Sequence, residues 1–107
     1  MSYDVSIGDE SFNYTWNMYQ FFADHIAGEE NGGGINELMD KDGTEAFIII
    51  RAAMENIVRT YRDMGNVPMQ EKYNAPNGWG SVIGAILFLS QIMGACAANP
   101  DEKVRVS

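Results

Sequence analysis

The chain has 107 residues, 46% of them apolar and 21% charged, a composition that supports one globular core and excludes a disordered chain. With Cys96 its only cysteine and His25 its only histidine, it has no internal disulfide and no zinc site built on Cys and His. Its net charge of −8 is uneven, because residues 1–45 hold ten acids against the single base Lys41, whereas residues 46–107 hold five acids and six bases. No basic patch is present, so direct nucleic-acid binding is not expected.

In chain order, "YDVSI" alternates Tyr3, Val5 and Ile7 with polar residues, and "FNYT" alternates again after the turn-forming "GDES". Residues 3–7 and 11–15 are therefore predicted to form a β-hairpin. From Trp16 the period becomes helical, with Trp16, Tyr19, Phe22, Ala23 and Ile26 on one face of a helix near 16–27. The Thr15 hydroxyl is expected to cap it, and His25 to lie on its surface. Gly28 to Gly34 is the most flexible stretch, and Ile35 and Leu38 anchor a short irregular piece after it.

Asp42 and Glu45 have the spacing of a capping box opening a helix over 44–64, with Gly65 as its stop. Its apolar stripe runs from Ala46 to Met64, leaving Ile48 and Ile49 to pack under the glycine loop or to form a contact surface. "NVPMQEKYNAPNG" reads as a loop of about 12 residues, long enough to suggest a function. "KVRVS" alternates and predicts a third strand, 103–107, added antiparallel to the hairpin edge.

Ser81 to Ala98 carry no charge. Gly84, Ser90, Gln91 and Gly94 lower the apolarity of this run and no positive cluster flanks it, so it predicts a central buried helix near 80–98 rather than a membrane span. Asn77-Gly78-Trp79-Gly80 then forms the entry, with Ser81 the expected N-cap. Two readings of this tetrapeptide stand side by side. Trp79 plugs the end of the core, or Asn77, Gly78, Trp79 and the backbone N–H groups up to Ser81 form an anion- or nucleobase-binding corner at a helix N-terminus. The fold class is α+β, a three-stranded antiparallel sheet on three helices within a single domain, 1–107.

Catalytic motifs are missing. There is no G-x-S-x-G, P-loop, G-x-G-x-x-G or H-E-x-x-H, and Asp40, Asp42 and Gly43 match a calcium loop poorly because Leu38 falls at its first ligand position. Cys96, inside the uncharged run, is expected to act as a small hydrophobe. No metal, cofactor or enzymatic activity is expected. No basic stretch precedes an apolar one near the first residue, so a cytoplasmic location is expected.

Tyr14, Thr15 and Asn17, then Gly34-Ile35 with Leu38, Glu45-Ala46, Asn77-Gly78-Trp79-Gly80, Gly84-Ala85, Leu89, Cys96, Asn99-Pro100, Val104 and Val106 together resemble a group of small phage and prophage proteins. The resemblance covers most of the chain. The glycine run at 32–34 and the loop before Asn77 look expanded relative to that group, and the resemblance assigns no functional residue. It implies by analogy a non-enzymatic inhibitor of host defence, of the anti-CRISPR kind, acting from the host cytoplasm. Asp9, Glu10, Asp24, Glu29, Glu30, Glu37, Asp40 and Asp42 would then imitate DNA phosphates against a host protein with a basic surface. The alternative is a small-ligand or nucleotide-binding protein with its site at Asn77, Gly78 and Trp79, and a third reading is a structural or virion-associated protein. A monomer is expected, with a homodimer through Ile48, Ile49 or the sheet edge as the alternative.

Overall fold

A computed structural model describes residues 2–107. The elements are β1 (Ser2–Ile7), β2 (Glu10–Thr15), a 3₁₀ turn (Trp16–Met18), α1 (Tyr19–His25), a second 3₁₀ turn (Ile35–Leu38), α2 (Gly43–Met64), α3 (Asn66–Tyr73), α4 (Val82–Ala98) and β3 (Arg105–Val106). The fold is α+β. Its antiparallel sheet has the order β2-β1-β3, so the C-terminal strand adds to the hairpin as expected and leaves β1 in the middle.

Alternation in β1 places Tyr3, Val5 and Ile7 in the core, and Gly8 turns the hairpin at positive φ. β3 is shorter than 103–107. Val104 is wholly buried, its backbone exchanging hydrogen bonds with Asp40 and Lys41, while Lys103 bridges to Asp42. This end of the predicted strand is pulled away from the sheet to tie down the segment before α2.

The helix predicted over 16–27 is a 3₁₀ turn followed by the seven-residue α1, with Thr15 Oγ1 accepting from Asn17 N as its cap. Its buried face is Met18, Phe21, Phe22, His25 and Ile26, one position round from the expected stripe. Trp16 and Tyr19 instead stack on each other at 4.6 Å between ring centroids and stay exposed. His25 is buried, not on the surface. Its Nδ1 donates to the Phe21 carbonyl within α1 at 2.7 Å and its Nε2 lies 2.9 Å from Thr60 Oγ1, so both ring nitrogens are occupied and the second joins α1 to α2.

Helix α2 matches its prediction closely. Asp42 caps it by accepting from Glu45 N at 2.8 Å, Gly65 ends it at positive φ, and Ala46, Ile50, Ala53 and Ile57 face inward. The predicted loop after it contains α3, whose Met69 and Tyr73 are buried. Gly65 lets the chain reverse directly into this helix, and its mixed polar sequence carries no strong period from which to read it.

Ser81 caps α4 through Gly84 N at 2.9 Å. α4 touches both the sheet and α2, yet it is not buried all round. Ala85, Phe88, Leu89, Ile92, Ala95 and Cys96 face the core while Ile83 and Leu87 are 67% and 59% exposed. The sheet and α2 together cover only part of its circumference, which a uniformly uncharged sequence does not reveal. No helix among the described residues is long and apolar enough to cross a membrane.

The N-terminus of α2 meets the C-terminus of α4 at Gly43, where an added Cβ would lie 2.2 Å from the Asn99 carbonyl oxygen and 2.7 Å from that of Cys96. Backbone atoms cannot yield as a flexible side chain does. Gly43→Ala should therefore cost at least about 2 kcal/mol in chemical denaturation, and an unchanged midpoint would show that the two helix ends are not in contact.

Candidate functional site

The eight predicted acidic residues fall into two surface groups and two separate positions. Asp9 and Glu10 sit on the hairpin turn, where Asn99 Nδ2 reaches Glu10 Oε2 at 3.4 Å. Asp42 caps α2, whose first residue bonds the Glu102 carbonyl. This pole also gains the exposed Asp101 and Glu102, which the prediction omitted. Glu29 and Glu30 line a dent of about 450 Å³ with Glu45, Ile48 and Ile49, and the exposed Asp40 lies just before α2. Lys41 pairs with Glu30 there. The two isoleucines differ, since Ile48 is left 60% exposed whereas Ile49 is partly buried against the core.

Glu37 belongs to the interior. It is only 3% exposed, and its Oε1 accepts from Gly33 N and Asn31 N, each at 3.0 Å, so it organises the glycine loop and offers a partner nothing. The N–H of Gly33, with those of Asn31 and Glu30 and the Lys41 ammonium, holds its carboxyl below the usual range. Asp24 stands apart on α1, accepting from Gln20 at 2.7 Å and from the Tyr73 hydroxyl at 2.7 Å. Burial and this carboxylate push the Tyr73 hydroxyl up to about 12. Asp24 thus fastens α1 to α3.

Trp79 does not plug the core. It is 73% exposed, and its backbone is fixed on both sides. Trp79 N donates to Asn77 Oδ1 at 3.0 Å, and the Trp79 carbonyl accepts from Asn17 Nδ2 at 3.1 Å. Gly80, at φ 136°, brings the loop so close that a Cβ there would lie 2.9 Å from both Thr15 Cγ2 and Met18 Cγ. The result is an indole at the rim of a concavity of about 410 Å³ lined by Ser2, Asn13, Thr15, Asn17 and Asn77. An adjoining one of about 520 Å³ shares Asn17 and Asn77 and adds Gln20, Lys72 and Tyr73.

Polar atoms around this corner are unevenly used. Asn77 spends its oxygen on Trp79 N, and Asn17 spends its nitrogen on the Trp79 carbonyl. Among the described residues no hydrogen bond engages Asn77 Nδ2 or Asn17 Oδ1, which leaves one amide donor and one amide acceptor beside the indole. The backbone contributes less than expected. Gly78 N bonds Ala75 O, Ser81 N bonds the Tyr14 hydroxyl at 3.0 Å, Val82 N bonds Asn74 Oδ1 and Gly84 N bonds Ser81 Oγ, so with Trp79 N already engaged most donors of the expected anion corner are taken up by the protein itself. Asn17, Thr15 and Tyr14, from the start of the chain, meet Trp79, Gly80 and Ser81 respectively here, although more than 60 residues of sequence separate them.

No arrangement of three or more His, Cys, Asp or Glu side chains suited to a metal occurs among the described residues, and Asp42 is committed to its helix cap. Cys96 is buried and its thiol is pushed up to about 11, which suits a packing role. No known protein family, curated protein or solved structure matches the chain.

A carboxyl whose folded pKa is depressed stabilises the fold above its ordinary value, here 4.5, and loses that contribution as the pH falls below it. Glu37→Gln retains an acceptor for Asn31 and Gly33 but has no charge to lose. Its thermal midpoint should accordingly fall less steeply than the wild type's on acidification below that value. Parallel acid profiles would show that the Glu37 carboxylate does not hold the loop.

Proposed function

We propose that the protein is a binding protein whose site is the corner formed by Asn17, Asn77 and Trp79, and that its ligand is a small nucleotide-like molecule with a flat, neutral, polar ring. The observation that carries this reading is the exposed indole on a doubly fixed backbone, beside an unengaged amide donor and acceptor. A flat ring can lie on the indole while the amides of Asn17 and Asn77 meet its edge, and a site held in place before binding spends little entropy in ordering itself. Among the described residues Lys72, in the adjoining concavity, is the one cation placed for a phosphate, and Glu71 beside it disfavours a polyphosphate.

Trp79 is the direct handle on this site. In a Trp16→Phe background its fluorescence should be quenched saturably by a nucleoside or nucleoside monophosphate, and Asn77→Ala or Asn17→Ala should weaken binding about tenfold. Trp79→Ala should abolish binding at a stability cost below about 1 kcal/mol. Unquenched Trp79 with nucleosides, nucleotides and simple sugars alike, or a Trp79→Ala protein that no longer folds, would refute the reading.

A second reading is favoured by the acidic dent, where Glu29, Glu30 and Glu45 surround Ile48 and Ile49. An apolar floor with a carboxylate rim suits a basic protein surface, including one that otherwise holds nucleic acid. Its mark is salt. Capture of host proteins from lysate should fall steeply above about 0.1–0.2 M salt and vanish when Lys replaces Glu29, Glu30, Asp40 and Asp42 together. Identical capture by both proteins at all salt concentrations would exclude it.

A further inference from the structure

Beyond the binding corner, the outer face of α4 requires an explanation that the isolated chain does not supply. Ile83 and Leu87 project from it, and Ser90, Gln91, Gly94, Ala97 and Ala98 continue the same face without a charge. Most of the fold's tight glycines have visible reasons, as at Gly84, where an added Cβ would lie 2.2 Å from the Tyr14 hydroxyl. Gly94 has none. An added Cβ would meet nothing within 4 Å, yet the residue sits inside a helix where glycine is a poor helix former. A glycine tolerated at that cost on an apolar face fits the close approach of another helix.

We propose that α4 pairs with α4 of a second copy of this chain, antiparallel about a twofold axis passing near Ser90 and Gln91. Three features select this occupant and this direction. The face is large at one end and small at the other, so reversing one copy sets Leu87 against Gly94 and Ile83 against Ala98. Parallel pairing would set Leu87 against Leu87 and leave a gap between the two Gly94 residues. At the centre, Gln91 of each copy faces Ser90 of the other. Ser90 Oγ donates to the Ile86 carbonyl at 2.8 Å and can still accept from the Gln91 amide, a polar contact that fixes register.

Charge is the third feature. The C-terminus of α4 lies at the acidic pole, beside Glu10, Asp101 and Glu102. Parallel pairing would bring two such poles together. Antiparallel pairing separates them by the length of the helix, about 25 Å, well beyond the Debye length of about 8–10 Å. One helix face buries less than a standard interface, so the pairing should be weak and reversible, to be followed over protein concentrations of about 1 µM to 1 mM.

Sedimentation equilibrium across that range tests the pairing. Wild type should associate reversibly to twice the 11.9 kDa chain mass. Gly94→Leu sets leucine against leucine and should weaken association at least about tenfold, while Leu87→Ala combined with Gly94→Leu, which restores a small residue opposite a large one, should recover it. Gly94→Ala should raise the thermal midpoint of the monomer, because its Cβ has room, and weaken the dimer. A wild type that stays monomeric throughout overturns the proposal, as does association unaffected by Gly94→Leu or a double variant no better than the single. Wild-type protein that binds neutral lipid vesicles instead of associating with itself would assign the face to a membrane surface and equally overturn it.

Discussion

The Tyr14 hydroxyl is the joint on which the arrangement turns. It accepts from Ser81 N at 3.0 Å and donates to the Ser81 carbonyl at 3.1 Å, so a single side chain from β2 occupies both backbone groups of the α4 N-cap. Its ring stacks on Phe88 with centroids 5.5 Å apart, and the missing side chain of Gly84 makes room for its oxygen. A half-buried polar pair of this kind has few alternative placements, because a cap N–H shielded from water and left unpaired costs more than the bond itself gains. The sheet therefore fixes where α4 begins, and with it where the Asn77–Gly80 loop must pass.

From that joint the two ends of the molecule acquire different chemistry. Where α4 begins, the cap hydrogen bonds are satisfied internally and the exposed groups are amides, hydroxyls and indoles, nearly without charge. Where α4 ends, the hairpin turn, the cap of α2 and the Pro100–Glu102 turn gather carboxylates at one pole. The α2 dipole favours this distribution, with Asp42 and Glu45 at its positive end and Arg59 and Arg62 towards its negative end. An exposed tryptophan in the neutral region and an acidic dent at the other are surfaces for different partners.

Elements with strong local signals were legible in the sequence. The alternation of β1 and β2, the Asp42 cap, the Gly65 stop and the Ser81 cap each rest on residues within one or two turns, and each forms where it was expected, although Glu45 does not return the bond that would complete a capping box. Failures arose where tertiary contacts decide. Trp16 and Trp79 are the residues most readily assigned to a core by composition, yet the core is filled by Met18, Phe21, Phe22 and Phe88, and both indoles stay outside. His25 can be buried because Phe21 and Thr60 satisfy its two nitrogens, and the Thr60 partner, 35 residues away, leaves no local pattern. Likewise Glu37 reads as one more surface acid until the glycine loop folds its N–H groups onto it. Asn77, Gly78 and Trp79 were visible as a candidate corner. Their meeting with Asn17 across the chain was not, because it depends on the Tyr14 joint.

The most direct test of the central claim is chemical-shift mapping of the side-chain amides and indoles of the isotopically labelled protein during titration with a nucleoside monophosphate. If the neutral corner is the binding site, the Asn17 and Asn77 amides and the Trp79 indole will shift together and saturate at one concentration, with the carboxylate pole unmoved. Shifts confined to the acidic pole, or no saturable shift at Trp79, would contradict the account.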